Sequence, residues 1–536
     1  MHDESLTSRE GRLTRRRFLD LVGRLGGSAA VYRAALAIGL LPAVARGRLT
    51  ELEPLGADDR RSVVILGAGI GGLTAAYELD RAGYDCIVLE ASHRAGGRNL
   101  TLRAGDRIDE LGNPQVCEFD DEPHLYMNAG PARIPANHHR LLHYARELGV
   151  QLEVFVNENR SAWVHDESAF GGRPVRNRRY VTDARGFMTE IMAKCVAASD
   201  LDKTMDGVDG ERLLEFLRAY GDLDPDGAYR GSERAGHAAG GMVVPAIGHG
   251  VFDFAEILKA GFWRGPMHQG EQEDQAAPMM QPVGGMDMIV RGFMAKVGRR
   301  VVSNAQVRAV SLRENAVEIV YAHDGTLKRL AADYCLNSIP SHILAGLDHN
   351  FPPDYAAALD ALPRGRLFKI GLQASRRFWE DEGIYAGISW TSQDITQIWY
   401  PGHGIFAKKG ILLGAYTFGD DGGTKFARMS PAERIETAIR QGAKIHPSYP
   451  KYIENGVSVP WHRMNHMLGC AARWTDELRA RYFRTLQEPA GRHYLIGDQV
   501  SYHPGWQEGA IASAHHALEH LNRRVRVETN PVLSRA

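Results

Sequence analysis

The chain has 536 residues, enough for two to four domains of about 100–200 residues each. Its 64 Lys and Arg and 65 Asp and Glu give a formal net charge of −1. This balance argues against non-specific binding to nucleic acid or to an anionic membrane, because either needs a basic surface. The five Cys are widely spaced without a CxxC pair, which excludes a disulfide scaffold and a structural zinc cluster.

The first 45 residues are predicted to be an export signal. Arg15-Arg16-Arg17-Phe18-Leu19 precedes a weakly apolar stretch that ends in the A-x-A pattern of a signal-peptidase site at Ala45. The longest uncharged run, 34–45, has 12 residues, whereas a membrane span needs about 20, so we expect no membrane anchor. The order of these features resembles a twin-arginine signal, which implies export by that machinery to the periplasm or the exterior. An amphipathic helix or a basic tail is the alternative.

From residue 62 the pattern is that of a strand–helix–strand unit. Apolar runs at 63–66 and 86–89 flank a helical pattern at 73–79. The intervening turn fits G-x-G-x-x-G with Gly67, Gly69, Ile70, Gly71 and Gly72. Such glycines permit a tight turn, close approach of a pyrophosphate and close helix packing, while the helix N terminus favours phosphate. Glu90, followed by Ala91, is placed to bind ribose hydroxyls, so we predict an adenine-dinucleotide site.

The rest of the chain alternates between helical and strand patterns. Residues 131–260 are predicted to be mostly helical, with apolar positions three and four apart. Alternating patterns predict strands at 301–320, 334–337, 368–373, 411–416 and 493–496, and a last helix at 507–523. No internal repeat is found. The fold class is therefore α/β.

Several short blocks connect this chain to a known family. Arg94-Ala95-Gly96-Gly97-Arg98 follows Glu90, and further blocks lie at 130–135, 368–372, 416–421, 497–498 and 505–510. With them, residues 62–521 resemble the flavin amine oxidase superfamily and, within it, the L-amino-acid oxidases. The resemblance implies a two-dinucleotide-binding FAD domain of the glutathione-reductase type, built from the separated segments 60–130, 281–345 and 460–525. A helical domain, 131–280, and a mixed-sheet substrate domain, 346–459, complete the expected architecture.

The resemblance also implies the substrate site. Arg133 is expected to hold a substrate carboxylate, since a planar guanidinium grips a carboxylate bidentately. Tyr416 would give that carboxylate its other hydrogen bond, and Lys369 would hold a water beside flavin N5. The Gly505 carbonyl would accept a hydrogen bond from the amine. Trp506 would form one wall of an aromatic cage, with Trp399 or Tyr400 as the other.

The cofactor contacts are implied in the same way. Arg98 would pair with the pyrophosphate or the flavin edge, Val307 would hold the adenine, and Asp498, usually Glu in the family, would bind the ribityl chain. The remaining expected contacts are the backbone of Gly130, Pro131, Ala132 and Arg133 and the helix N terminus at Gln507, Glu508, Gly509 and Ala510. Without a convincing signature of covalent attachment, we expect FAD to bind non-covalently. We expect no metal, and interpret His138, His139, His515, His516 and His520 as solvent-facing.

The function implied is FAD-dependent oxidative deamination of L-amino acids to 2-oxo acids. Dioxygen is the acceptor, and ammonia and hydrogen peroxide are released. Three alternatives stay open: a primary-amine or polyamine oxidase, an amino-acid 2-monooxygenase giving an amide, and a flavin-loaded binding protein without turnover. The side-chain preference depends on 155–280, where the resemblance is weak, and the sequence leaves the oligomeric state, including a homodimer, open.

Overall fold

The computed structural model describes Leu49 and residues 51–56, 59–197 and 209–529. The described residues from 51 onward belong to one unit, the second of two in the chain. The predicted export signal, 1–45, lies outside the described residues. Every element below belongs to the second unit.

A five-stranded parallel sheet carries the glycine-rich turn. Its strands lie in the order Val301–Val302, Asp85–Leu89, Ser62–Leu66, Tyr334–Asn337 and His493–Leu495. The predicted strand–helix–strand unit is confirmed, because helix Ile70–Arg81 connects two of these strands. The carboxyl ends of parallel strands meet at one edge of a sheet, which brings the residues after 66, 89 and 337 together.

A second sheet packs against the first and shares its core. Its strands lie in the order Thr326–Ala332, Val317–His323, Gln306–Leu312 and Asp348–His349. Val64 and Cys335 of the parallel sheet and Val310 of the second sheet belong to one buried cluster. Burial of this apolar surface, at about 25 cal/mol per Å², holds the two sheets together.

A seven-stranded mixed sheet forms the other large layer. Its order is Val175–Arg176, Trp163–His165, Gly387–Thr391, Gln397–Tyr400, Gly410–Phe418, Leu367–Ala374 and Ile453–Pro460. The strands predicted at 368–373 and 411–416 are confirmed, and they pair antiparallel with Lys369 opposite Tyr416. Both side chains therefore stand on the same face of the sheet.

The region 131–260 is less helical than its pattern predicts. It contains the helices His139–Glu147, Asn177–Ala197, Gly210–Gly221 and Phe254–Ala260. It also contains the short strands Ile134–Pro135, Leu152–Phe155, Trp163–His165, Val175–Arg176, His237–Ala239 and Ile247–Gly248. Strands of two to four residues are too short to show alternation, so the sequence pattern missed them. Two of them extend the mixed sheet, so part of 131–280 is continuous with strands of 346–459.

The remaining elements are mostly short. The helices are Met288–Val297, Ser341–Ala345, Pro353–Asp360, Phe378–Asp381, Gly419–Ala427, Pro431–Gly442, Tyr449–Tyr452, Asp476–Leu478, Arg484–Gln487 and Gln507–Thr529. Met279–Pro282 joins Ile134–Pro135 and Leu152–Phe155 in a three-stranded sheet, and the pairs Thr101–Leu102 with Met127–Asn128 and Arg107–Ile108 with Gln115–Val116 are two-stranded. Within the described ranges, no helix is long and apolar enough to cross a membrane.

Candidate active site

A cavity of about 490 Å³ reaches from the glycine-rich turn to the face of the mixed sheet that carries Lys369 and Tyr416. Most of the residues expected from the sequence line it: Gly67, Gly69, Ile70, Gly71, Glu90, Ala91, Arg98, Gly130, Pro131, Ala132, Arg133, Val307, Lys369, Tyr416, Asp498, Gly505, Trp506, Gln507 and Ala510. Residues from all the predicted blocks therefore meet at one site.

Three of the expected cofactor contacts do not line the cavity: Gly72, Glu508 and Gly509. The Glu508 carboxylate accepts hydrogen bonds from the backbone N–H groups of Arg140 (3.2 Å) and Leu141 (2.8 Å), so it caps the helix His139–Glu147. A Cβ on Gly509 would lie 2.3 Å from the His503 carbonyl oxygen, which makes this glycine a packing requirement. These positions do not support contact between the three residues and the cofactor.

The glycines of the turn have distinct physical roles. Gly67 has a φ of +93°, which favours glycine and makes the tight turn. A Cβ on Gly72 would lie 2.0 Å from the Gly67 carbonyl oxygen, so the close packing of helix and strand requires this glycine. A Cβ on Gly69 would meet no atom within 4 Å, although Gly69 lines the cavity. The protein's own packing leaves this space free, which fits a bound phosphate.

Glu90 lies beside this space at the end of its strand. Its carboxylate accepts backbone hydrogen bonds from Ala68 (2.7 Å) and Ser92 (2.8 Å), and burial raises its pKa. Each carboxylate oxygen retains acceptor capacity for a ribose hydroxyl. The Glu90 carbonyl accepts the N–H of Ala305 at 2.8 Å, which brings the strand that carries Val307 alongside. This arrangement fits a nucleoside.

Cationic side chains line the cavity beyond the turn. Arg98 forms a bidentate ion pair with Asp498, with 3.0 Å between Nη1 and Oδ2, and donates to the Cys470 carbonyl at 3.1 Å. Burial opposes ionisation of Asp498, but Arg98, together with Arg364 and the Gly505 N–H, holds the pKa of Asp498 below its usual value. Sequence analysis missed Arg364, whose buried Nε has no hydrogen-bond partner among the described residues. These guanidinium groups fit a pyrophosphate.

Lys369 is only 1% exposed. Its Nζ donates to the carbonyl oxygens of Gly130 (2.6 Å) and Asn128 (3.1 Å) and lies 4.6 Å from the centroid of the Tyr416 ring. Burial, assisted by the neighbouring positive charge of Arg133, lowers the pKa of Lys369 to about 7. The amine is therefore close to the midpoint between its charged and neutral forms at neutral pH.

Arg133 presents a cation without an anionic partner. Its Nη2 donates to the Gln275 side-chain oxygen at 2.6 Å, and its Nε is buried without a partner. Burial lowers the pKa of Arg133, but a guanidinium stays charged in proteins. Across the described part of the chain, no carboxylate oxygen lies within 4 Å of it. Removing a charge from water, even in part, is costly unless the charge is paired, so the partly buried Arg133 favours an anionic ligand.

Aromatic rings flank Arg133. Its Cζ lies 4.9 Å from the Trp399 ring centroid and 5.7 Å from that of Trp506, and Trp399 packs edge-on against Tyr416 at 5.2 Å. The Tyr400 hydroxyl instead forms hydrogen bonds with Ser389 and His446 in a separate buried network. Of the two candidates left open by the sequence, Trp399 is the one beside the site.

Two histidines correct the sequence interpretation. His138 is 2% exposed, its Nε2 lies 3.2 Å from Asp274 Oδ1, and its ring contacts Trp506 at 4.9 Å. His515 is buried, and its Nε2 lies 2.8 Å from the Tyr144 hydroxyl. The prediction that both face solvent is wrong, because the residues that pack on them, Trp506 and Tyr144, come from distant parts of the chain. No metal-binding group of three or more ligands is found in the ranges that the structure describes.

Comparison with known proteins identifies the family of the chain. The family model for flavin containing amine oxidoreductases matches residues 70–521. The L-amino-acid oxidase of Gloydius halys is 27% identical over 494 residues, which cover 86% of this chain and 89% of that protein. The L-amino-acid oxidase of Pseudechis australis is 26% identical over 487 residues, covering 86% and 87%.

Solved structures share the fold at lower identity. A mutant of putrescine oxidase superposes with a TM-score of 0.59 at 19% identity, over 87% of this chain and 99% of that one. Cyclohexylamine oxidase from Brevibacterium oxydans IH-35A gives a TM-score of 0.58 at 16% identity, with the same coverage. Since the family model spans most of the chain, this protein belongs to the flavin containing amine oxidoreductases.

Proposed function

We propose that this protein oxidatively deaminates L-amino acids. An amino acid, dioxygen and water would give a 2-oxo acid, ammonia and hydrogen peroxide. The observation that carries the proposal is Arg133, a partly buried guanidinium at the cavity with no carboxylate within 4 Å among the described residues. The similarity to L-amino-acid oxidases from two snakes over most of their length supports the same substrate class.

The cofactor proposed is FAD, bound non-covalently. The open space at Gly69, the Glu90 carboxylate and the guanidinium groups of Arg98 and Arg364 would hold its phosphates and ribose. When bound, the flavin would supply two-electron oxidation at the substrate Cα, with dioxygen as the final acceptor. The N terminus of the helix Gln507–Thr529 lies at the cavity, where its dipole favours negative charge.

The substrate would be fixed at both of its polar groups. Arg133 would bind the carboxylate through two parallel N–H groups, and the Tyr416 hydroxyl would donate a further hydrogen bond. The Gly505 carbonyl would accept a hydrogen bond from the amine between the Trp506 and Trp399 rings. Holding Cα in one orientation contributes to catalysis by removing translational and rotational freedom before the chemical step.

Lys369 is proposed to hold a water or a proton beside the reacting atoms. A neutral amine has two N–H groups and one lone pair. The two N–H groups match the two observed acceptors, the Gly130 and Asn128 carbonyls. The lone pair is then free to accept a hydrogen bond from water, which a charged ammonium cannot do. A pKa near 7 makes this neutral form accessible at physiological pH.

Arg133→Met tests the substrate class. Loss of the charge-assisted hydrogen bonds should cost roughly 1.5–3 kcal/mol of binding, or about a 10- to 150-fold rise in KM for L-amino acids. Peroxide release from L-phenylalanine and from phenethylamine, which lacks the carboxylate, is measured for both proteins. A primary-amine oxidase, the activity class of the structural neighbours, would oxidise phenethylamine equally well in both, and that result would overturn the proposal.

Product analysis separates the remaining alternatives. A monooxygenase would convert the amino acid to an amide and carbon dioxide, whereas the proposed oxidase gives a 2-oxo acid and hydrogen peroxide. A flavin-loaded binding protein would leave the flavin oxidised when amino acid is added without oxygen. Detection of either outcome would contradict oxidative deamination.

We also propose that residues 1–45 direct export through the twin-arginine machinery. The support is the sequence order alone: the arginine pair, Phe18-Leu19, a weakly apolar stretch and the A-x-A pattern at Ala45. Replacing Arg15 and Arg16 by Lys should retain the protein in the cytoplasm of a bacterial expression host. Unchanged export in cell fractionation would refute this route.

A further inference from the structure

Gln275 is a cavity residue that sequence analysis did not identify. Its side-chain oxygen accepts hydrogen bonds from Arg133 Nη2 at 2.6 Å and from Asn157 Nδ2 at 3.4 Å. Asn157 Nδ2 also donates to the Gln275 backbone carbonyl at 3.0 Å. Because a guanidinium has only donors, the amide oxygen, and not the amide nitrogen, must face Arg133.

The amide nitrogen of Gln275 is left with two N–H donors. No hydrogen bond to it is formed by any residue of the described ranges, and it is not among the buried unpaired atoms, so it is not fully buried, in a residue that lines the cavity. We propose that Gln275 is a further ligand of the substrate carboxylate, beside Arg133 and Tyr416. Because Arg133 Nη2 lies 2.6 Å from the oxygen of this amide, a carboxylate bound to Arg133 would lie next to Gln275, and one of its oxygens would accept the Nε2–H. The inference rests on the proposed function, since it assigns a carboxylate to the same site.

The residue type suits this role. A Glu at position 275 would form an ion pair with Arg133 and cancel the charge that the substrate needs. A Leu would leave Arg133 Nη2 without its hydrogen bond and the guanidinium free to rotate. Gln holds the guanidinium by a neutral acceptor, so Arg133 keeps both its orientation and its positive charge. Gln275 therefore positions Arg133 and also binds substrate.

Neighbouring contacts fix Gln275 in place. Asp274 accepts a hydrogen bond from Asn137 at 2.9 Å, and its Oδ1 lies 3.2 Å from His138 Nε2. The His138 ring in turn packs against Trp506. These contacts attach the backbone before Gln275 to the wall of the site, while Arg133 and Asn157 hold its side chain. A preorganised donor of this kind binds without a large ordering cost.

The test uses Gln275→Glu and Gln275→Leu in the FAD-loaded protein, with Gln272→Glu as the matched control. Gln272 is an exposed glutamine of the same segment and does not line the cavity. We expect Gln275→Leu to raise KM for L-phenylalanine about tenfold and Gln275→Glu at least about 100-fold, with kcat changed by less than about threefold. Gln272→Glu should match the wild type. A purely structural role would lower kcat or the thermal unfolding temperature along with affinity.

Binding of benzoate, a carboxylate that the enzyme cannot oxidise, provides a readout independent of turnover. Its Kd, measured by the change in the flavin absorption spectrum, should rise by the same factors in the two Gln275 variants. An unchanged Kd and KM in both would overturn the role of Gln275. If the wild type binds benzoate but does not oxidise L-amino acids, the proposed function is wrong. The Kd values of the wild type and the two Gln275 variants for benzoate still decide whether Gln275 binds a carboxylate.

Discussion

Lys369→Met removes a buried amine whose titration should control part of the pH dependence of stability. The pKa of Lys369 falls to about 7 in the folded protein, against 10.5 for an unperturbed lysine, chiefly through burial and then through Arg133. Met has nearly the same length without a charge. The substitution therefore removes the titrating group while filling much of the same space.

The direction in which stability changes with pH follows from the number of protons that the folded and unfolded chains bind. Below pH 7 both folded and unfolded chains carry the proton, so the full cost of the buried charge is present and does not vary with pH. Between pH 7 and 10 the unfolded chain binds more protons, so the stability of the wild type rises with pH. From the two pKa values, the wild type should gain about 2 kcal/mol relative to Lys369→Met between pH 7 and pH 9.

Urea unfolding of the FAD-loaded proteins, followed by tryptophan fluorescence at pH 6, 7, 8 and 9, measures this difference. Lys328→Met, which removes an exposed lysine, is the control and should parallel the wild type across the range. A constant difference between wild type and Lys369→Met from pH 6 to pH 9 would refute the reasoning. It would mean that Lys369 stays protonated in the folded protein.

Three further predictions concern the cofactor and substrate contacts. Gly69→Ala should lower FAD affinity, measured by flavin fluorescence on dilution, without lowering the thermal stability of the apoprotein. Gly72→Ala should instead destabilise the fold by roughly 1–3 kcal/mol, because the added Cβ would lie 2.0 Å from the Gly67 carbonyl oxygen. Equal losses of stability in the two variants would contradict this distinction. Glu90→Gln should weaken FAD binding, also measured by flavin fluorescence, because a neutral amide is a poorer acceptor for ribose hydroxyls than a carboxylate. Tyr416→Phe should raise KM for L-amino acids about 2- to 10-fold in a peroxide assay, and an unchanged KM would remove Tyr416 from the substrate site.

Local sequence signals predicted the parts of the fold that depend on neighbouring residues. The glycine-rich turn at 67–72 and the strands around it were found because turn geometry and strand apolarity are encoded within about thirty residues. Lys369 and Tyr416 lie on paired strands whose residues are apolar nearly throughout, so the sequence predicts each of these two strands. Resemblance then supplied the expected roles of these two side chains.

Local sequence patterns do not predict tertiary contacts. Asp498 forms its ion pair with Arg98, which lies 400 positions earlier in the chain. Neither the segment around Asp498 nor the segment around Arg98 predicts this pairing. Gln275 lies in an irregular segment with no periodicity, and only its hydrogen bond to Arg133 places it in the cavity. His138 follows no apolar pattern, and its burial depends on Asp274 and Trp506 packing around it.

The most direct test of the central claim is the reduction of the flavin without oxygen. The purified FAD-loaded protein is mixed in a stopped-flow instrument with L-phenylalanine or, at the same concentration, with phenethylamine. If Arg133 is the anchor of a substrate carboxylate, L-phenylalanine should bleach the flavin within the turnover time while phenethylamine leaves it oxidised. Bleaching by phenethylamine as fast as by L-phenylalanine would contradict the account.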